Sequence, residues 1–350
     1  MNGDARMASD KLRMTNCAKC KRPPRRAAYA RGNGIERRRP AFGRVAVLAS
    51  CVFVMMVLVA LLTLPGGMRW YNAQELTTAV RHSPSWEPVV AAREGISRQA
   101  EEELRFALSW FGHDDLGRSL FFRVWPGFLV SLAVGLSAAF VAVVVGGTWG
   151  ATSALIGGRV DLVMMRVVDV LYGLPYILMV ILLQIALQRP LTILLAGHRK
   201  YADIVILFLA IGGVSWLTMA RVVRGQVLSL RSQPFVEAAR VAGAGSMWIL
   251  RRHLWPNLIG PIATYATLVI PQAVLQESFL SFLGLGIQQP TPSLGRLAAD
   301  GVEAVNVFVG YWWLLVIPCV FLVVTLLSLN FIGDGLRDAF DPKSKQVPLV

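Results

Sequence analysis

Residues 128–156 are 29 consecutive positions without a charged side chain. A helix crossing a hydrocarbon layer about 30 Å thick needs only roughly 20 apolar residues. Within such a layer the backbone must satisfy its own N–H and C=O groups, so an isolated run of this kind has to be helical. The pattern recurs along the chain. Val45 to Leu64 is 20 residues without a charge, and further apolar runs cover about Val167–Leu187, Ile204–Ala220, Leu258–Gly286 and Gly310–Gly333. Hydrophobic residues make up 55% of the chain and charged ones 16%, with a mean hydropathy of +0.54. The expected fold class is therefore all-α: a polytopic membrane protein with six transmembrane helices.

The formal net charge is +14, a value that often signals nucleic-acid binding. Its distribution argues against that. Residues 1–44 hold 13 Lys/Arg against three acids and alone supply +10. A basic block beside a first membrane span fixes that end in the cytoplasm and favours contact with anionic membrane lipid. Residues 1–43 lack apolar periodicity and read as a disordered cytoplasmic tail. Cys17-x-x-Cys20 is half a metal site, and no second Cys/His pair lies near it to complete the four ligands zinc takes. Cys51 and Cys319 fall in apolar runs, so no disulfide framework is implied. The apolar region begins too late for a cleavable signal peptide.

The spans are punctuated by turn residues. Pro65-Gly66-Gly67 is expected to end the first span at 44–64. Residues 65–127 carry seven Arg and eight Asp/Glu and read as a periplasmic or extracellular segment. Its end, FGHDDLGRSLFFR, suggests a turn and helix start, with Asp114 or Asp115 as cap and Gly117 for flexibility. His113, Asp114 and Asp115 are too close in sequence to converge on one metal. Gly146-Gly147 and Gly150 permit close helix approach. Gly157-Gly158-Arg159 makes a short turn, and 189–203 reads as an outer loop. The five later spans form a core at 128–335, followed by a cytoplasmic C-terminal tail at 336–350. An acid inside an apolar span is a functional candidate by default, and there are two. Asp169 lies near the start of the third span, one turn from Arg166 as a prospective partner. Glu277 lies deep in the fifth, where it would line a translocation path or hydrogen-bond a neighbouring helix.

The central loop, 221–257, holds six Arg and one acid, again a cytoplasmic signature. Within it, PFVEAARVAGAGSMWILRRHLWPN reads as two short helices. Ser232 or Gln233 can cap the first, and Pro234 suits its first turn. Ala238 and Ala239 leave a thin face that another protein can approach. Gly243-Ala244-Gly245 breaks the helix, Ser246 can cap the second, and Pro256 ends or kinks it.

Glu237-Ala238-Ala239, then Gly243, then His253 and Pro256-Asn257 resemble the "EAA" loop of ABC importer permeases, in its dipeptide, oligopeptide and nickel branch. FGHDDLGR before the second span is similar to a signature of the C-type subunits in that branch, with His113 in place of threonine. MRVVDVLYGLP, ESFLSFLGLGIQQPTPSLG and GDGLRDAFDP resemble further stretches of the family. The likeness covers about 110–342. It implies a type I importer architecture in a bacterial inner membrane, with both termini cytoplasmic. It also implies a second permease as heterodimer partner, two ATPase subunits and an external solute-binding protein. Glu237, Ala238, Ala239, Gly243, His253, Pro256 and Asn257 would form the surface that docks into the ATPase. Peptides are the family's commonest cargo, with nickel or glutathione as alternatives.

The chain itself carries no Gly-x4-Gly-Lys-Ser/Thr loop and no catalytic set, so it reads as non-enzymatic, without cofactor or metal. Two rivals belong to other classes. An ion-driven secondary transporter would show paired inverted repeats with broken helices, and the central loop has no second copy. A membrane scaffold or sensor would use the basic tail as its working part.

Overall fold

The computed structural model describes residues 39–70, 84, 110–194, 199–305 and 310–340. The basic tail 1–38, most of 71–109 and residues 341–350 lie outside the described residues, so the expectations for them are not addressed. The regular elements among the described residues are all helices, in the order α1 (Arg39–Trp70), α2 (Leu120–Ile156), α3 (Gly158–Tyr172), α4 (Tyr176–Leu194), α5 (Arg199–Arg231), α6 (Pro234–Val241), α7 (Ser246–Phe282), α8 (Leu294–Ala304) and α9 (Trp312–Phe340). Among them α1, α2, α4, α5, α7 and α9 are long and apolar enough to cross a membrane. α7 is 37 residues long, about 55 Å at 1.5 Å per residue. Its start carries the central loop and its end meets α8, which defines a loop end and a far end of the bundle.

The elements run longer than the apolar runs that announce them. α1 continues through Pro65-Gly66-Gly67 to Trp70 instead of stopping there. One proline removes a single backbone donor, and continuing the helix satisfies the rest. α2 and α7 each contain a five-residue π turn, Ala142–Gly146 and Leu250–Leu254. Pro256 therefore does not end the second loop helix, which merges with the fifth span. The stretch 189–203 is not an extended loop: α4 reaches Leu194 and α5 begins at Arg199. α9 extends to Phe340, into the expected C-terminal tail.

The third span is also divided. Gly173-Leu174-Pro175 separates α3 from α4, because Pro175 disfavours helical geometry in the residue before it. Asp169 consequently sits on α3, not inside the spanning helix α4. Residues 294–304 form α8, capped by Ser293, whose hydroxyl accepts from the Arg296 amide at 3.1 Å.

Small residues set the helix spacing. A Cβ at Gly146 would lie 2.5 Å from the Trp216 carbonyl oxygen, and one at Gly150 would press still closer on that of Ala220. These two, four residues apart on α2, let the α5 backbone approach directly. Gly147 faces away, with nothing nearer than 4.0 Å. Gly135 gives α7 the same access to α2, where a Cβ would sit 2.7 Å from Val274. Around the loop end, Met219, Val223, Val227, Leu254 and Leu258 form one buried cluster; around the far end, Leu120, Val124, Phe128, Leu294 and Trp313 form another.

Candidate functional site

The first candidate is the central loop. α6 starts with Gln233 as N-cap and Pro234 in its first turn, without a side-chain cap bond. Val236 is fully buried and packs in one cluster with Val227, Ile249 and Leu254, which fixes α6 against α5 and α7. Its opposite face is free: Glu237 and Ala238 are exposed and Ala239 is half-buried. α6 ends in a Schellman turn. The Ala244 amide donates to the Ala239 carbonyl at 3.0 Å and the Gly243 amide to that of Arg240 at 2.9 Å. Gly243 takes φ +81° there, the left-handed region where a side chain is costly. A Cβ at that position would meet nothing within 4 Å, so the glycine serves the backbone turn and not a tight contact.

α7 begins at Ser246 with Gly245 as N-cap, so Ser246 is the first helical residue and not the cap. The His253 ring lies 5.1 Å from the Trp248 ring and 6.0 Å from that of Phe235. It thereby bridges α6 and α7. The Asn257 amide nitrogen donates to the His253 carbonyl at 2.6 Å, holding the end of the π turn, and Pro256 beside it is exposed. Phe235, Ala239, Gly243, Gly245, Trp248 and His253 line an open concavity of ≈ 620 Å³. Of the expected residues, Ala239, Gly243 and His253 line this concavity, while Glu237 and Ala238 are exposed elsewhere on α6. Pro256 and Asn257 stand behind it, on the stem.

The two acids sit in different surroundings. Asp169 accepts from Arg221 Nη2 at 2.9 Å, and that guanidinium lies 4.1 Å from the centre of the Tyr172 ring. The partner is Arg221 on α5, not Arg166; the ion pair is exposed. Glu277 is completely buried. Its Oε2 accepts from Ser131 on α2 at 2.6 Å and its Oε1 from Ser281 at 2.7 Å.

Sequence reading missed two charged clusters. On the loop side, Arg224 holds Asp161 of α3, and Ser153 also donates to Asp161. The Arg224 hydrogen bond keeps the Asp161 carboxyl below the usual carboxylate range. At the far end, the FGHDDLGR stretch closes a tight turn on the Asp114 side chain. Asp114 Oδ1 accepts from the Leu116 and Arg118 amides, both at 2.9 Å, and Oδ2 from Arg118 Nε at 2.7 Å and from buried Arg123 at 2.6 Å. Asp114 is thus the centre of the turn, while Ser119 occupies the N-cap position of α2. Arg123 also reaches Asp300 of α8 at 3.3 Å. The signal available in the sequence was Arg123 itself, a charge within the first turn of an apolar helix.

The family described as "Binding-protein-dependent transport system inner membrane component" matches residues 142–346. The chain belongs to this family. It is accordingly a multi-pass inner-membrane permease subunit, and the matched region contains the whole central loop. It is 45% identical over 236 residues to an oligopeptide transport system permease protein of Haemophilus influenzae, covering 67% of this chain and 71% of that relative. A dipeptide transport system permease protein of Bacillus subtilis is 43% identical over 237 residues, covering 68% and 69%. An oligopeptide permease protein of Salmonella typhimurium is 48% identical over 236 residues, covering 67% and 73%. In fold, the permease resembles a chain of the MetNI methionine ABC transporter in an inward-facing conformation, with TM-score 0.50, 20% identity, and coverage of 63% of this chain and 98% of that one. Membership does not favour an ion-driven carrier or a scaffold.

Proposed function

We propose that this permease imports di- or oligopeptides, pairing with a second permease to form the pathway and with two ATPase subunits that grip the central loop. The substrate reading is supported by the relatives, which are named as oligopeptide and dipeptide permeases. The coupling reading is carried by one observation. The loop buries Val236 and Ile249 in the bundle while presenting Glu237, Ala238, Phe235 and Trp248 outward. A helix pair held this way transmits force as a rigid body, and exposed aromatics beside a concavity suit contact with another protein. ATP-driven closure of the ATPase pair would pull the loop and rock the bundle, admitting solute delivered by an external binding protein. The excess of arginine in 221–257 and of basic residues in 1–44 supports a cytoplasmic loop and cytoplasmic termini. Asp169 and Arg221, exposed near the loop end, are assigned to the solute exit, and Glu277 to helix packing.

Co-purification tests the reading. The tagged chain, extracted in detergent from cells producing the whole system, is expected to bring down an ATPase subunit in stoichiometric amount and to show no ATP hydrolysis by itself. Recovery without any ATPase partner, or hydrolysis by the isolated chain, would contradict it.

A further inference from the structure

Glu277 lies where α7 faces α2, and the hydroxyls of Ser131, Ser281, Ser293 and Ser278 reach it, the last at 3.4 Å. A serine hydroxyl has one proton to donate and two lone pairs to accept with. Ser131 and Ser281 each direct their proton at Glu277, one to each carboxyl oxygen. Their lone pairs are then turned outward. The Ser281 oxygen accepts from the Ile287 amide at 3.0 Å, and the Ser131 oxygen from the Leu294 amide at 3.3 Å. The Ile287 amide lies within the segment that connects α7 to α8, and the Leu294 amide opens α8. The chain of donors therefore runs from backbone N–H through serine to Glu277, twice, and a single carboxyl sets the sense of both.

The segment has little freedom besides. A Cβ at Gly286 would collide with Ser281, and one at Gly295 with the Ser278 backbone. On α2, a Cβ at Gly127 would lie 3.3 Å from the Ser293 carbonyl carbon. Arg123, Gly127 and Ser131 follow at four-residue intervals, one face of a helix, and each touches α8 or its cap. The far end of α2, the last turns of α7 and α8 are thus joined at several points.

We infer that Glu277 is a positioning residue for transport: by polarising Ser131 and Ser281 it locks the 283–304 segment to α2 and α7, so that the far end of the permease moves as one block. Helix motion during the cycle is then accommodated nearer the loop, where α2 and α7 each carry a π turn. The inference rests on the chain being an importer permease, not on which peptide it carries.

Glu277→Gln keeps the shape and replaces one acceptor oxygen by a donor, so one serine loses its target and its proton is orphaned. The test uses the complete transporter in proteoliposomes, with labelled tri-alanine as solute. Relative to wild type, Glu277→Gln and Ser131→Ala should assemble normally. Each should raise amide exchange across 283–304 by about 5- to 10-fold, the worth of one hydrogen bond. Peptide moved per ATP should fall by a similar factor, with the KM for the loaded binding protein unchanged. Adding Glu277→Gln to a Ser131→Ala/Ser281→Ala variant should cost little more, because both arms are then already broken. Unchanged exchange and unchanged peptide per ATP would overturn the inference. So would additive effects, or loss of assembly in both variants, which would mark the residues as needed only for folding. If the wild-type complex moves no tri-alanine, the substrate reading fails, while amide exchange still tests the lock.

Discussion

Arg224 grips Asp161 through two parallel hydrogen bonds, Nε to Oδ1 and Nη2 to Oδ2, each 2.7 Å. The residues are 63 positions apart, and the pair ties α3 to α5 beside the loop. Two-pronged contacts of this kind are the stronger class of ion pair. Asp161→Asn keeps the shape and removes the charge, and should destabilise the permease by about 1.5–3 kcal/mol, the range for hydrogen bonds to charged groups. Thermal unfolding of the detergent-solubilised variant against wild type measures this.

The same pair sets a pH dependence. Arg224 lowers the folded-state pKa of Asp161, so its contribution is complete above the ordinary aspartate value of about 3.9. It disappears as pH falls through the lower folded value. Wild type and Asp161→Asn should therefore differ by a constant amount between neutral pH and about pH 5, and converge on strong acidification. Melting temperatures recorded across that range would reveal a divergence at low pH if the sign were wrong.

Neighbouring glycines on α2 should behave oppositely. Gly150→Ala forces a methyl into the Ala220 carbonyl, whereas Gly147→Ala places one where the nearest atom is 4.0 Å away. Overpacking costs about 1–3 kcal/mol, so Gly150→Ala should lower stability and Gly147→Ala should be neutral or better, alanine being the stronger helix former. Equal effects in a melting assay would mean that α2 and α5 are not in backbone contact there.

At the far end, Arg123→Met removes the cation from between Asp114 and Asp300 and leaves the buried Asp114 carboxylate to Arg118 and two backbone amides. Breaking a buried pair from one side costs about 3–5 kcal/mol. Asp300→Asn should cost less, since Arg123 keeps Asp114 at 2.6 Å. Membrane abundance of the two variants, measured in parallel, should rank in that order.

What the sequence showed plainly was whatever depends on runs and local spacing: the spans, the small-residue contact at Gly146 and Gly150, and the two-helix central loop. What it hid depends on contacts between distant positions. Asp169 was matched with Arg166 because that residue lies one turn away, while its actual partner is 52 positions on. Arg123 could be seen as an odd charge, but Asp300, 177 positions away, could not be named as its partner. Helix ends were misplaced for a different reason. Pro65 read as a stop and Pro256 as a stop or a kink, yet a single missing donor does not end a helix that otherwise satisfies its backbone in an apolar layer. α8 escaped notice because its buried stripe, Leu294, Leu297, Ala298, Gly301 and Ala304, is short and built largely of small residues.

The central claim is that the loop is a rigid surface for an ATPase subunit, and Gly243 is where it is most exposed to test. Gly243→Val forces a β-branched residue into φ +81° at a cost of roughly 1–2 kcal/mol, and disturbs the turn that sets α6 against α7. Because a Cβ there meets no neighbour, the fold itself should survive. Gly243→Asn, which tolerates the left-handed region, should be the milder change. The measurement is the amount of ATPase subunit retained per permease after detergent extraction. The account predicts normal permease abundance with retention lost in Gly243→Val and largely kept in Gly243→Asn. Full retention and full peptide uptake in Gly243→Val would contradict it.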